Sequence, residues 1–218
     1  MAGTGSNSTE ATIAKTRVAK KAGADAVLVV APYYNKPSQE GLYRHYKAIN
    51  DAVDIPVFLY NVPSRAVVDI ADDTVADLAA LKNIVGIKDA TGDLERPYLL
   101  RRKLKHPFRL FTGEDMSVVA YAASGGVGCI SVTSNIMPRR CAEVQNACLK
   151  GDFKKALKLQ DTLVELHAAM FCESNPGPVK FAASLIGKSR PDVRLPLGPI
   201  SDNGKKSVRQ ALKNLRLI

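Results

Sequence analysis

The stretch Ile84-Val85-Gly86-Ile87-Lys88-Asp89-Ala90-Thr91-Gly92 places one lysine at the end of an apolar run, in front of a polar, glycine-containing turn. An apolar run of this length with turn chemistry behind it predicts a buried strand of a parallel sheet. Lys88 then stands where the strand runs out. An ammonium is seldom taken out of water, because burial is costly unless the group pairs or sheds its proton. A lysine that sheds its proton attacks carbonyls, which is the basis of Schiff-base catalysis. The competing reading is a lysine that has simply reached solvent at a strand end. One strand by itself does not choose between them.

The elements that would position Lys88 are legible on either side of it. Runs at 26–31, 55–60, 84–88, 109–113 and 127–132 read as strands. Helical spacing marks 9–24, 38–51 with Ser38 as N-cap, 72–81, 94–105 and 114–124. Strand starts fall roughly 20 to 30 residues apart, the pattern of βαβ units on a parallel sheet. From Pro138 onward strand signals cease, and 139–150, 153–172, 179–187 and 205–217 read as helices. Tyr34, Tyr60, Lys88 and the pair Gly113-Glu114 all come directly after strand runs. In α/β folds catalytic groups gather at that edge of the sheet, so several such residues arriving together favour the chemical reading of Lys88.

Composition narrows the function classes. The 218 residues carry 31 Lys and Arg against 21 Asp and Glu, a formal charge of +10. The basic residues are spread over helical segments, with one denser run at Arg101, Arg102, Lys103 and Lys105. They lack aromatic interleaving or a recognisable binding motif, so solvated helix faces account for them and nucleic acid is not expected as a partner. No apolar run approaches a membrane span, the N-terminus has no secretory pattern, and no membrane association is expected. Cys129, Cys141, Cys148 and Cys172 have neither CxxC pairing nor metal-like spacing with the three histidines, so no metal site is expected. Free thiols in a reducing compartment, and hence a cytoplasmic location, follow.

Seven stretches together carry a family resemblance: Ala2–Thr9 (AGTGSNST), Pro32–Tyr43 (PYYNKPSQEGLY), Leu59–Arg65 (LYNVPSR), Gly86–Gly92 (GIKDATG), Thr112–Asp115 (TGED), Gly128–Asn135 (GCISVTSN) and Asn175–Lys180 (NPGPVK). The chain resembles the dihydrodipicolinate synthase (4-hydroxy-tetrahydrodipicolinate synthase) family, of the class I aldolase superfamily that includes N-acetylneuraminate lyase. The resemblance implies an α/β fold of the (β/α)8 TIM-barrel type with a C-terminal helical region, and a homo-oligomer, dimer or tetramer. It implies condensation of pyruvate with aspartate semialdehyde in lysine biosynthesis, the diaminopimelate pathway. No cofactor is needed, the intermediate being a covalent imine on Lys88.

Carried over motif by motif, Lys88 is similar to the lysine that attacks the pyruvate ketone, and Tyr60 to the proton donor and acceptor of imine formation. Tyr34 matches a relay tyrosine lent across a subunit interface; its alternative is an aromatic packed beside Tyr33. Arg65 matches the arginine that holds the carboxylate of aspartate semialdehyde, a guanidinium fork suiting that group. Gly113 and Ile130 match positions lining the pyruvate pocket. Asn7 and Tyr33 match positions that bind feedback lysine in some members, whereas Glu10 lies one place away from a lysine-binding Glu. Arg65 favours the synthase over the neuraminate lyase, which usually has an apolar residue there.

A complete barrel takes about 250 residues. By the family pattern Met1–Gly5 is the tail of a third strand, and the first two βα units are absent. With them goes a Gly-Thr-Thr-Gly-Glu motif whose threonine links the two tyrosines. Residues 1–137 then read as a partial barrel with the Schiff-base site, and 138–218 as a helical region. An open sheet of this kind would expose an unpaired edge and apolar interior. Three readings follow: a functional synthase whose gene begins further upstream; a short paralogue with a weakened relay; or a non-catalytic subunit associating with a full-length relative.

Overall fold

The computed structural model describes residues 1–218. Six strands, β1 (Ala2–Gly3), β2 (Val27–Val30), β3 (Val57–Asn61), β4 (Ile84–Asp89), β5 (Arg109–Thr112) and β6 (Gly128–Cys129), form one parallel sheet in chain order. Between them run α1 (Thr9–Lys21), α2 (Gln39–Ala52), the short α3 (Pro63–Ala66), α4 (Asp72–Ala79), α5 (Arg96–Lys103) and α6 (Val118–Ala123). Then come α7 (Pro138–Leu149), α8 (Phe153–Asp161), α9 (Val164–Met170), α10 (Gly177–Leu185) and α11 (Asp202–Asn214). β1 and β6 each pair on one side only, so the sheet is open at both edges. The chain divides into two compact units, Met1–Glu114 with Ala120–Ile130, and Asp115–Val119 with Ser131–Ile218.

Serine side chains start three helices by accepting from the backbone of the first turn: Ser8 from Ala11 at 3.3 Å, Ser38 from Gly41 at 3.2 Å and Ser201 from Gly204 at 3.1 Å. Each satisfies one of the otherwise orphaned N–H groups. In the first unit the strand pleat sorts side chains to two faces. Val27, Val29, Val57, Leu59 and Ile87 are fully buried and belong to one core with Leu42, Tyr46, Ile49, Leu78 and Leu100 of the helices. Each such side chain contributes roughly 1.5–3 kcal/mol by leaving water. Leu28, Val30, Tyr60 and Lys88, at the alternate positions, are only half-buried. In the second unit Leu163, Leu166, Met170, Val208 and Leu212 are buried.

The structure departs from the sequence reading in three places. The strand expected over 127–132 is cut to Gly128–Cys129, and a 3-10 turn follows at Thr133–Asn135. Its continuation is captured by Asp115, whose carboxylate accepts from the Ser131 hydroxyl and from the Val132 and Thr133 amides, at 2.8 and 3.2 Å for the amides. The helix expected over 153–172 breaks into α8 and α9. At the break Thr162 Oγ1 donates to Leu159 O at 2.6 Å and Leu163 N to Gln160 O, a tightening that ends α8. Tyr60 and Lys88, read as the last residues of their strands, are each followed by one more ladder residue, Asn61 and Asp89.

Burial of a histidine gives this fold an acid-sensitive point. His45 of α2 is buried with Nδ1 2.8 Å from Thr9 Oγ1, and burial holds its pKa down at about 4 against an ordinary 6.5. A depressed pKa means that the fold favours the neutral ring. Its contribution is therefore complete above about 6.5 and lost as pH falls through about 4, and the gap is worth roughly 3 kcal/mol. Urea midpoints should fall across that window, and His45→Gln should flatten the fall. An equal pH dependence in both proteins would refute this assignment.

Candidate active site

The parallel register lines up one row of residues across the sheet: Val30 with Tyr60, Tyr60 with Lys88, Lys88 with Phe111, and Phe111 with Gly128. Residues in one row share a face, so Tyr60 and Lys88 stand side by side on the half-buried face. Lys88 Nζ lies 4.1 Å from the centroid of the Tyr60 ring. An amine and a phenol held together in this way are a nucleophile and a proton carrier within reach of one bound carbonyl.

Room for the lysine comes from a glycine. Gly113 follows β5, and its amide donates to Asp89 O at 2.6 Å. A Cβ at that position would lie 2.8 Å from Ala90 Cβ and 3.0 Å from Lys88 Cε. Any side chain would therefore press on the lysine stem. Ile130 follows β6, and its amide donates to Thr112 O of β5 at 2.9 Å. Beside the tyrosine, Gly3, Gly5, Tyr33, Tyr60, Val62 and Arg65 line a cleft of about 380 Å³. Three residues singled out by sequence, Tyr33, Tyr60 and Arg65, are thus brought to one cleft from two segments, one after β2 and the other running from β3 into α3. A larger cleft of about 810 Å³ lies along α2, α4 and α5 and contains none of them.

Tyr34 is not gathered with the others. It is 86% exposed, in a left-handed conformation with φ +77°. Asn7 is half-buried ahead of α1, and its carbonyl accepts from Asn35 Nδ2 at 2.9 Å.

Sequence reading missed the polar cluster on the opposite side of the same strand ends. Asp89 and Arg96 are 2% and 4% exposed. Asp89 Oδ1 accepts from Thr91 N at 3.0 Å and Thr91 Oγ1 at 2.8 Å, and its Oδ2 lies 3.7 Å from Arg96 Nε. Arg96 also reaches Asp69 Oδ1 at 2.8 Å, Asp72 Oδ1 at 3.2 Å and the Ile70 carbonyl. Burial pushes the Asp89 carboxyl up, against the pull of Arg96 and the Thr91 donors. Burial, and then the Asp89 charge, also push the Tyr121 phenol up, keeping it neutral. One signal in the sequence could have pointed to Arg96. It opens α5, where the helix dipole disfavours a cation, so an arginine there calls for a local anion.

A model of the dihydrodipicolinate synthetase family matches residues 1–215. The 4-hydroxy-tetrahydrodipicolinate synthase of Rhodospirillum centenum is 55% identical over 218 residues, spanning 100% of this chain and 75% of that protein. That of Gluconacetobacter diazotrophicus is 53% identical over 219 residues, with 100% and 74% covered. Among solved structures, a chloride-inhibited dihydrodipicolinate synthase from Acinetobacter baumannii, complexed with pyruvate, superposes with a TM-score of 0.96 at 46% identity. The match covers 99% of this chain and 74% of that one.

Proposed function

Because the chain belongs to the dihydrodipicolinate synthetase family, we propose that it carries 4-hydroxy-tetrahydrodipicolinate synthase chemistry, joining pyruvate to aspartate semialdehyde through an imine on Lys88. The observation that carries this reading is the Lys88–Tyr60 pair, with Nζ 4.1 Å from the ring centroid. Lys88 Nζ adds to the ketone carbon of pyruvate, and the carbinolamine oxygen leaves as water after taking a proton delivered by the Tyr60 phenol. The Tyr60 phenolate so formed takes a proton from the methyl carbon, giving an enamine. That carbon adds to the aldehyde of the semialdehyde, whose oxygen takes the proton back from Tyr60 and becomes the product hydroxyl. The substrate amine then displaces Lys88 from the imine carbon and closes the ring. Arg65, on the cleft that Tyr60 lines, holds the semialdehyde carboxylate, and Gly113 and Ile130 border the pyruvate. No cofactor or metal takes part.

In the same reading the six strands are the third to eighth of a (β/α)8 barrel, in keeping with a chain that spans about three quarters of its relatives. The protein works as a homo-oligomer, dimer or tetramer, in the cytoplasm. Tyr34, standing almost free of its own subunit, extends the relay of a neighbour. Asn7 and Tyr33 take up lysine as a feedback ligand.

Borohydride trapping with pyruvate, read by intact mass and peptide mapping, tests the centre of this proposal. One reduced pyruvate on the peptide containing Lys88 is the expected result. A folded sample that acquires no adduct, or acquires it on another lysine, would refute it.

A further inference from the structure

The residues that follow Tyr60 and Lys88 point to the other side of the sheet, and there they belong to one polar network. Asn61 and Asp89 are the next register pair beyond Tyr60 and Lys88. Both are buried, and Ala90 N donates to Asn61 O at 2.9 Å across the gap. Asn61 Nδ2 donates to Asp69 Oδ1 at 2.6 Å, and Ile70 N donates back to Asn61 Oδ1 at 3.1 Å. The same Asp69 oxygen accepts from Arg96 at 2.8 Å, and the Arg96 guanidinium faces Asp89 at 3.7 Å. One cation thus joins the segment holding the end of β3 to the end of β4.

We propose that Arg96 is a positioning residue: from the helix side of the sheet it ties Asn61, through Asp69, to Asp89, and so keeps Tyr60 and Lys88 opposed on the other side. The proposal rests on the reading of Lys88 and Tyr60 as the reacting pair. Two physical arguments support it. A buried guanidinium among carboxylates is a poor source of net stability, since apolar residues of similar volume hold a structure as well, but it accepts few geometries. And strand side chains alternate, so a shift of the Asn61–Asp89 pair is transmitted directly to the Tyr60–Lys88 pair, one residue back along each strand. Misplacement of reacting groups by about 1 Å can cost about 100-fold in rate. An arginine suits the task because its planar fork addresses Asp69 and the Ile70 carbonyl together, which a lysine cannot do.

The test compares Arg96→Gln and Asp69→Asn with Lys103→Ala, which removes only the exposed Lys103–Asp73 pair. Asp69→Asn keeps an acceptor on a half-exposed side chain and guards against a failure of Arg96→Gln to fold. The first readout is the rate constant of borohydride-trappable imine formation with pyruvate, per trappable site. A fall of about 10- to 100-fold is expected for Arg96→Gln, a smaller fall for Asp69→Asn, and none for Lys103→Ala. The second is hydrogen exchange of peptides covering 57–66 and 84–92, expected to quicken about 10-fold in the two cluster variants only. A merely structural role would lower the number of trappable sites and leave the rate constant per site unchanged; that outcome, or unchanged exchange, overturns the proposal. If the wild-type chain forms no imine, the assignment of Lys88 fails, and the exchange measurement still decides whether the tie exists.

Discussion

Replacing Lys88 with Ala or Arg is expected to remove the pyruvate adduct and to lower condensation by at least about 10³-fold, the scale seen when a covalent nucleophile is lost. The two substitutions fail for different reasons. Alanine removes the amine. Arginine keeps the charge and much of the stem, but its guanidinium does not deprotonate and does not attack carbonyls. Lys88 is half-buried at the penultimate position of β4, and nothing in the helix-side core depends on its head group. Thermal midpoints should therefore stay close to the parent for both variants. Activity in Lys88→Ala comparable with the parent would place the chemistry elsewhere.

Tyr60→Phe is the second large effect expected, with kcat lower by about 10²- to 10⁴-fold and KM for pyruvate little altered. The ring beneath Lys88 Nζ is retained in this variant, so the 4.1 Å packing of amine on ring survives and only the proton carrier is removed. Pre-steady-state trapping separates the roles. If Tyr60 delivers the proton that expels water, imine formation slows along with turnover. A decrease of less than about threefold would leave Tyr60 as a packed aromatic. On the proposed reading that Tyr34, 86% exposed, completes a neighbouring subunit's relay, the effect of Tyr34→Phe should track the fraction of oligomer present.

Lys88, Tyr60 and Gly113 were legible in sequence because the features that announce them are local: an apolar run, one out-of-place polar group, a turn. Arg65 and Tyr33 were named only through the family motifs, and their meeting with Tyr60 at one cleft came from the fold. Arg96 was legible only as a cation in the first turn of a helix, without its partners. Its partner Asp69 lies 27 residues away, and in the sequence it is one more basic residue near the denser run at 101–105. The break between α8 and α9 was missed for a different reason, since the bonds that make it span only three residues. Leu163 suits a helix interior and masks Thr162, whose hydroxyl bonds back to Leu159 and turns the backbone aside.

What the amino-acid order determined by itself was the alternation of strand and helix and the type of residue delivered to each strand end, since both follow from periodicity and propensity over a few neighbours. What tertiary structure decided was register. Pairing Val57 with Ile84 and then, past an irregularity, Phe58 with Gly86 sets Tyr60 beside Lys88 and Asn61 beside Asp89. A slip of one residue would turn each of these side chains to the other face of the sheet. Burial of the helix-side residues in one core favours that choice, through contacts between segments that no local pattern contains.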